Sequence, residues 1–131
     1  KRNFRTYHEG LKPYEDFLQL PGTDPKSDPA WFGYPITIRE GATFGRDELL
    51  RYLNQNGVDT RNIFAGNITR QPAYQNAPHV KVPDLRNSDL VMNNGFFIGV
   101  YPGITPDRAA YVVDVFRRFM EEEPKAFTGP F

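Results

Sequence analysis

The sequence runs to 131 residues, room for a single hydrophobic core and so for one domain or a piece of one. Sixteen Lys and Arg balance sixteen Asp and Glu, so no overall field draws polyanions, and no apolar run approaches the ~20 residues of a membrane span. Zero cysteines exclude disulfides, thiolate ligands and cysteine nucleophiles from this stretch and suit a cytoplasmic protein.

The chain opens at Lys1 and enters an apolar pattern at once, which reads as a cut through a longer protein. Phe4, Tyr7, Leu11, Tyr14 and Leu18 have the spacing of a helical seam, interrupted at Pro13, where either a kink or a second helix is expected. The run from Pro21 to Pro29, with three prolines and a glycine, reads as a turn or linker. Phe32, Tyr34, Ile36 and Ile38 then alternate with Gly33, Pro35, Thr37 and Arg39, a strand that Pro35 assigns to an edge or a bulge.

Asp47 and Glu48 open a helix whose buried face is Leu49, Leu50 and Leu53 and whose stop is Gly57. A short strand follows toward Phe64, then a polar passage without periodicity to about Asn87. A short helix is expected over Ser88–Met92 and a strand over Gly95–Gly103. Thr105, Pro106 and Asp107 start a last helix with Ala109, Val112, Val113, Phe116 and Phe119 on one face.

The expected fold is a small α/β (α+β) sandwich: a three-stranded mixed or antiparallel sheet packed against helices on one face. Its layout is a helical segment over 1–20, a linker over 21–31, a small domain over 32–121 and a tail over 122–131. Eleven phenylalanines, seven tyrosines and a tryptophan exceed what such a core needs, so some are assigned to an interface.

The usual enzymatic signatures are missing: no G-x-S-x-G elbow, no phosphate loop, no glycine-rich dinucleotide turn. His8 and His79 have no ligand spacing and read as surface residues, so no metal is assigned. Asp84 and Asp89 read as turn and helix-start residues, and Glu121 to Glu123 as a solvated helix end.

The stretch RNIFAGNITRQPAY, Arg61 to Tyr74, is dense in hydrogen-bond donors. Arg61 and Arg70 can each grip a carboxylate or phosphate in bidentate fashion, and Asn67 and Gln71 suit sugar hydroxyls. Gly66 allows a tight turn or close approach. The same side chains would equally satisfy an irregular loop and pair with nearby acids, and both readings stand on physical grounds.

Three segments in this order, WFGYPITI, TRNIFAGNITRQPAY and SDLVMNNGFFIGVYPGIT, resemble the C-terminal lobe of the DegT/StrS-type pyridoxal-phosphate (PLP) enzymes that act on nucleotide sugars. The resemblance covers roughly Asn3 to Met120 and runs nearest to the 3-dehydratase branch, with Phe64-Ala65-Gly66-Asn67 where sugar aminotransferases carry a Tyr-x-Pro-Leu-His type segment. It implies a fold-type-I enzyme, usually a homodimer, with its active site between two lobes and across the subunit boundary. The substrate implied is a nucleotide-linked 4-keto-6-deoxyhexose.

The cofactor, PLP or its pyridoxamine form, would be anchored outside this sequence. So would the residue, histidine or lysine, that separates dehydratase from aminotransferase. No lysine here resembles the cofactor-binding motif, so the stretch is expected to be inactive alone. Some relatives of this kind use an iron–sulfur cluster, whose cysteines would also lie outside it. By resemblance Arg61, Asn67 and Arg70 face the nucleotide-sugar and Phe64 packs beside sugar or cofactor, with Gln71 and Asn94 as further candidates. A free-standing binding module is the competing class; RNA binding would need basic residues clustered around Phe96 and Phe97, and none are.

Overall fold

The computed structural model describes residues 1–80 and 84–121. Lys81, Lys125, Glu122, Glu123 and the expected tail therefore lie outside the described residues.

Phe4, Tyr7 and Leu11 line one side of α1 (Arg2–Leu11) and are all buried. The helix stops where Pro13 removes a backbone donor, and the chain tightens into a 3₁₀ turn, Lys12–Tyr14, rather than a second α-helix. Leu18 is no part of that seam. It is fully buried in a two-residue strand, β1 (Leu18–Gln19), opposite Ile38.

The central strand β2 (Gly33–Ile38) buries Tyr34, Ile36 and Ile38 as the period-two pattern requires. Phe32, expected to continue that alternation, precedes the strand and is 80% exposed. Pro35 sits in an interior strand, but β1 covers only Thr37 and Ile38. The ladder to β4 (Gly95–Gly99) continues through Pro35 opposite Phe97, which leaves the missing donor on the side β1 does not reach.

α2 (Arg46–Gln55) buries Leu49 and Leu53, with Leu50 half-buried, and ends at Gly57 with φ +74°. It hands the chain to β3 (Thr60–Asn62). α3 (Arg86–Asn94), longer at both ends than expected, runs directly into β4. α4 (Pro106–Glu121) starts at the anticipated proline, where the Thr105 hydroxyl accepts from the Arg108 amide at 3.4 Å. Its innermost side chains are Ala109, Val115 and Phe116, whereas Val112 and Val113 are only half-buried.

The sheet is antiparallel and has four strands in the order β1-β2-β4-β3, one more than expected because β1 is too short to show a period. One face carries Tyr34, Ile36, Ile38, Phe96, Ile98 and Thr60, which form the core with α1, α2 and α4. Each fully buried Leu, Ile or Phe there contributes about 1.5–3 kcal/mol. Tyr34 is held by the half-buried His8, whose Nδ1 lies 3.2 Å from its hydroxyl, and burial pushes its phenol far above the ordinary range. By alternation the opposite face presents Gly33, Pro35, Phe97, Gly99 and Arg61.

Candidate functional site

The donor-rich stretch leaves β3 and folds back on itself through two tight reversals. Phe64 adopts φ +46°, its amide donating to the Asn62 carbonyl at 2.8 Å, and Gly66 follows at φ +59°. A Cβ on Gly66 would lie 2.5 Å from the Cβ of Met92, so the loop can press against α3 only because that residue is glycine. Two 3₁₀ turns, Ile68–Arg70 and Pro72–Tyr74, complete the passage.

Asp89, on the first turn of α3, organises the loop. Its Oδ1 accepts from Asn67 Nδ2 at 2.7 Å and from Arg70 Nε at 3.1 Å, and its Oδ2 from Arg70 Nη2 at 2.9 Å. Asn67 is 3% exposed, and its own oxygen accepts from the Thr69 amide at 3.1 Å and hydroxyl at 2.7 Å. The hydrogen bonds from Arg70, and then from Asn67, hold the Asp89 carboxyl below the usual carboxylate range, and the bond to Asp89 with its charge pushes the Arg70 guanidinium up. Asp89 is thus a helix-start residue, as the sequence suggested, with a second role that sequence reasoning missed. Asp84 acts as the turn residue expected, accepting from the Arg86 amide at 2.9 Å.

The six candidate residues divide into three groups. Asn67, Arg70 and Gln71 tie the loop; Gln71 donates to the Ala65 carbonyl at 2.8 Å. Arg70 keeps Nη1 without a bond to any described residue, and its side chain stays 59% exposed. Asn94 stands at the foot of β4, where it donates to the Ile38 carbonyl at 3.0 Å, and with Arg70 and Asp89 lines a shallow polar cleft of about 370 Å³.

Arg61 and Phe64 occupy the other side, the sheet face opposite the core. Arg61 lies across from Phe97 and is held in bidentate fashion by Asp59, Nη1 and Nη2 each 2.9 Å from one carboxylate oxygen. Phe97 has Phe32 at 5.7 Å on one side and Phe64 at 6.2 Å on the other, and those two outer rings are 80% and 81% exposed. An exposed non-glycine residue at positive φ is uncommon, and here it turns an apolar ring outward against Phe97.

Among known proteins, a profile described as the DegT/DnrJ/EryC1/StrS aminotransferase family matches residues 1–117. The lipopolysaccharide biosynthesis protein RfbH of Salmonella typhimurium is 44% identical over 119 residues, 91% of this chain and 27% of that protein. The dTDP-4-dehydro-2,6-dideoxy-D-glucose 3-dehydratase of Saccharopolyspora spinosa is 42% identical over 120 residues, 92% of this chain and 26% of that enzyme. The chain thus spans about a quarter of the curated relatives it matches.

Among solved structures, an E. coli GDP-4-keto-6-deoxy-D-mannose-3-dehydratase with bound hydrated PLP superimposes with a TM-score of 0.77 at 22% identity, covering 87% of this chain and 29% of the other. An aminotransferase of the same family from Brucella abortus gives 0.75 at 22% identity, covering 92% and 30%. These two likenesses establish the fold. With the profile covering nearly the whole described chain, this polypeptide belongs to the DegT/DnrJ/EryC1/StrS aminotransferase family.

Proposed function

We propose that this chain is the C-terminal, substrate-clasping lobe of a PLP-dependent nucleotide-sugar 3-dehydratase, inactive by itself. The observation that carries the reading is Phe64: a large ring held at positive φ, 81% exposed, and set against Phe97, which lies across from Arg61 in the sheet. Strain of this kind, stored where nothing in the fold needs the ring, suits a residue that meets a ligand. The 42% identity to a sugar 3-dehydratase supports the choice of branch over a sugar aminotransferase.

In this reading Arg61 contacts a phosphate, and Phe64 and Phe97 pack against the sugar ring. Arg70 offers its unused Nη1, while Asn67, Gln71 and Asn94 hold the loop and the foot of β4 in place. The described residues do not form a seat for PLP. Lys1 is paired at the surface with Asp28, and Lys12 and Lys26 are exposed. In this reading the cofactor is anchored in the part of the relatives that this chain does not span.

The test is a graft. Replacing the matched C-terminal stretch of the S. spinosa enzyme with this chain should give a protein that still eliminates the 3-hydroxyl of its nucleotide sugar. Phe64→Ala or Arg61→Ala in that chimera should lower kcat/KM about tenfold or more. A folded, PLP-loaded chimera whose activity ignores both substitutions would overturn the reading.

A further inference from the structure

Most arginines of the chain are engaged by a carboxylate or a carbonyl, as Arg39 is by the Glu15 carbonyl at 2.7 Å and Arg46 by that of Met92 at 2.6 Å. Arg108, on the first turn of α4, makes a side-chain bond with no described residue. It borders a groove of about 590 Å³ between the start of α4, the turn before β3 and the end of β4. Buried Val58 and half-buried Ile104 and Val112 supply an apolar floor, and Tyr101, 62% exposed, supplies a wall. Arg61 enters the groove from β3, still paired with Asp59.

Two guanidiniums against one carboxylate leave this lining with net positive charge in a mostly apolar trough. Such a lining fits a ligand with a flat, weakly polar body and an anionic group, in a volume ordinary for a small-molecule site. The tyrosine ring offers a stacking face, the guanidiniums suit phosphate oxygens, and the oxygens of Asp59 can accept from hydroxyls. The end of the groove formed by Arg61 and Phe97 is continuous with the face on which Phe64 stands.

We infer that this groove takes the nucleoside diphosphate half of the substrate, with Arg108 and Arg61 on its phosphates and Tyr101 against its base. The inference rests on the proposed function for the identity of the ligand, and it adds a site and an arginine that the donor-rich loop does not contain. The hexose then runs from Arg61 over Phe97 toward Phe64.

The experiment is a nitrogen-15 NMR titration of the 131-residue chain with dTDP and GDP, with pyrophosphate and thymidine as partial ligands. Saturable shifts are expected at Val58 to Arg61, Tyr101 to Ile104 and Arg108 to Val112, with each partial ligand binding about tenfold or more weaker. Arg108→Ala should weaken nucleotide binding about tenfold or more at an unchanged melting temperature, and Arg108→Lys should restore part of it. Arg5→Ala, at an exposed arginine on another helix, should bind like the parent.

Nucleotide shifts absent, or confined to other residues, would overturn the inference, as would pyrophosphate binding as tightly as dTDP. If Arg108→Ala abolishes dTDP binding while loss of the Phe64 ring leaves nucleotide-sugar affinity intact, the groove stands and the sugar reading falls. If affinity follows Phe64 and ignores Arg108, the groove falls and the sugar reading stands.

Discussion

Replacing Phe64 separates backbone strain from side-chain contact. At φ +46° the residue pays roughly 1–2 kcal/mol for a Cβ in the left-handed region, which glycine avoids. Glycine in turn costs about 0.5–1 kcal/mol through the freedom it gives the unfolded chain. The ring contact to Phe97, 6.2 Å between centroids and mostly in solvent, contributes about 0.5 kcal/mol. Phe64→Gly should therefore fall within about 1 kcal/mol of the parent. Phe64→Ala keeps the strain and loses the ring, so it should be the less stable of the two by about 1 kcal/mol, or about 3 °C in melting temperature for a chain of this size. Side-by-side thermal and urea unfolding of the two variants measures that difference. A glycine variant that unfolds before the alanine variant would refute the strain argument and, with it, the reason for placing Phe64 in the site.

Phe116→Ala on α4, at a fully buried ring, should cost roughly 3–5 kcal/mol in urea unfolding. Gly66→Ala should destabilise by roughly 2 kcal/mol or more, since its methyl would meet Met92 at a positive φ, whereas Gly22→Ala, with nothing near it, should not. Asp89 is held ionised by Arg70 and Asn67, so its contribution is present above the ordinary carboxylate pKa of about 4 and is lost as pH falls through its lower folded value. The protection of the Thr69 amide, whose N–H is bonded to Asn67, relative to its intrinsic exchange rate at each pH should fall in that acid window, and Asp89→Asn should produce the same loosening at neutral pH.

The long elements were legible because each repeats its period several times: Phe4, Tyr7 and Leu11 along α1, and Tyr34, Ile36 and Ile38 along β2. Leu18 was misplaced because a two-residue strand has no period and its spacing from Tyr14 happens to be helical. Phe32 was misplaced for a related reason, since alternation cannot show where a strand begins. On the last helix the expected face included Val112 and Val113 but missed Val115, because an apolar helix that contacts both α1 and α2 has no single seam.

In the site, sequence showed that donors were concentrated but not where they point. Asn67 and Arg70 meet an aspartate about twenty residues away, and only the fold brings it to them. Arg108 gave no local signal at all. It reads as one more surface arginine on a helix, and becomes distinctive only once β3 and β4 supply the opposite wall.

Pro35 bears on how this polypeptide behaves in a crowd. Because β1 covers so little of β2, the stretch from Gly33 to Pro35 is in effect an outer rim, with backbone groups that another chain's strand could match. It also adjoins Phe32 and Phe97, side chains that would reward such an encounter. The proline removes one donor from that rim and stiffens it, so an incoming strand meets a gap where it needs a bond. At this rim one imino acid thus works against strand-by-strand addition of another copy.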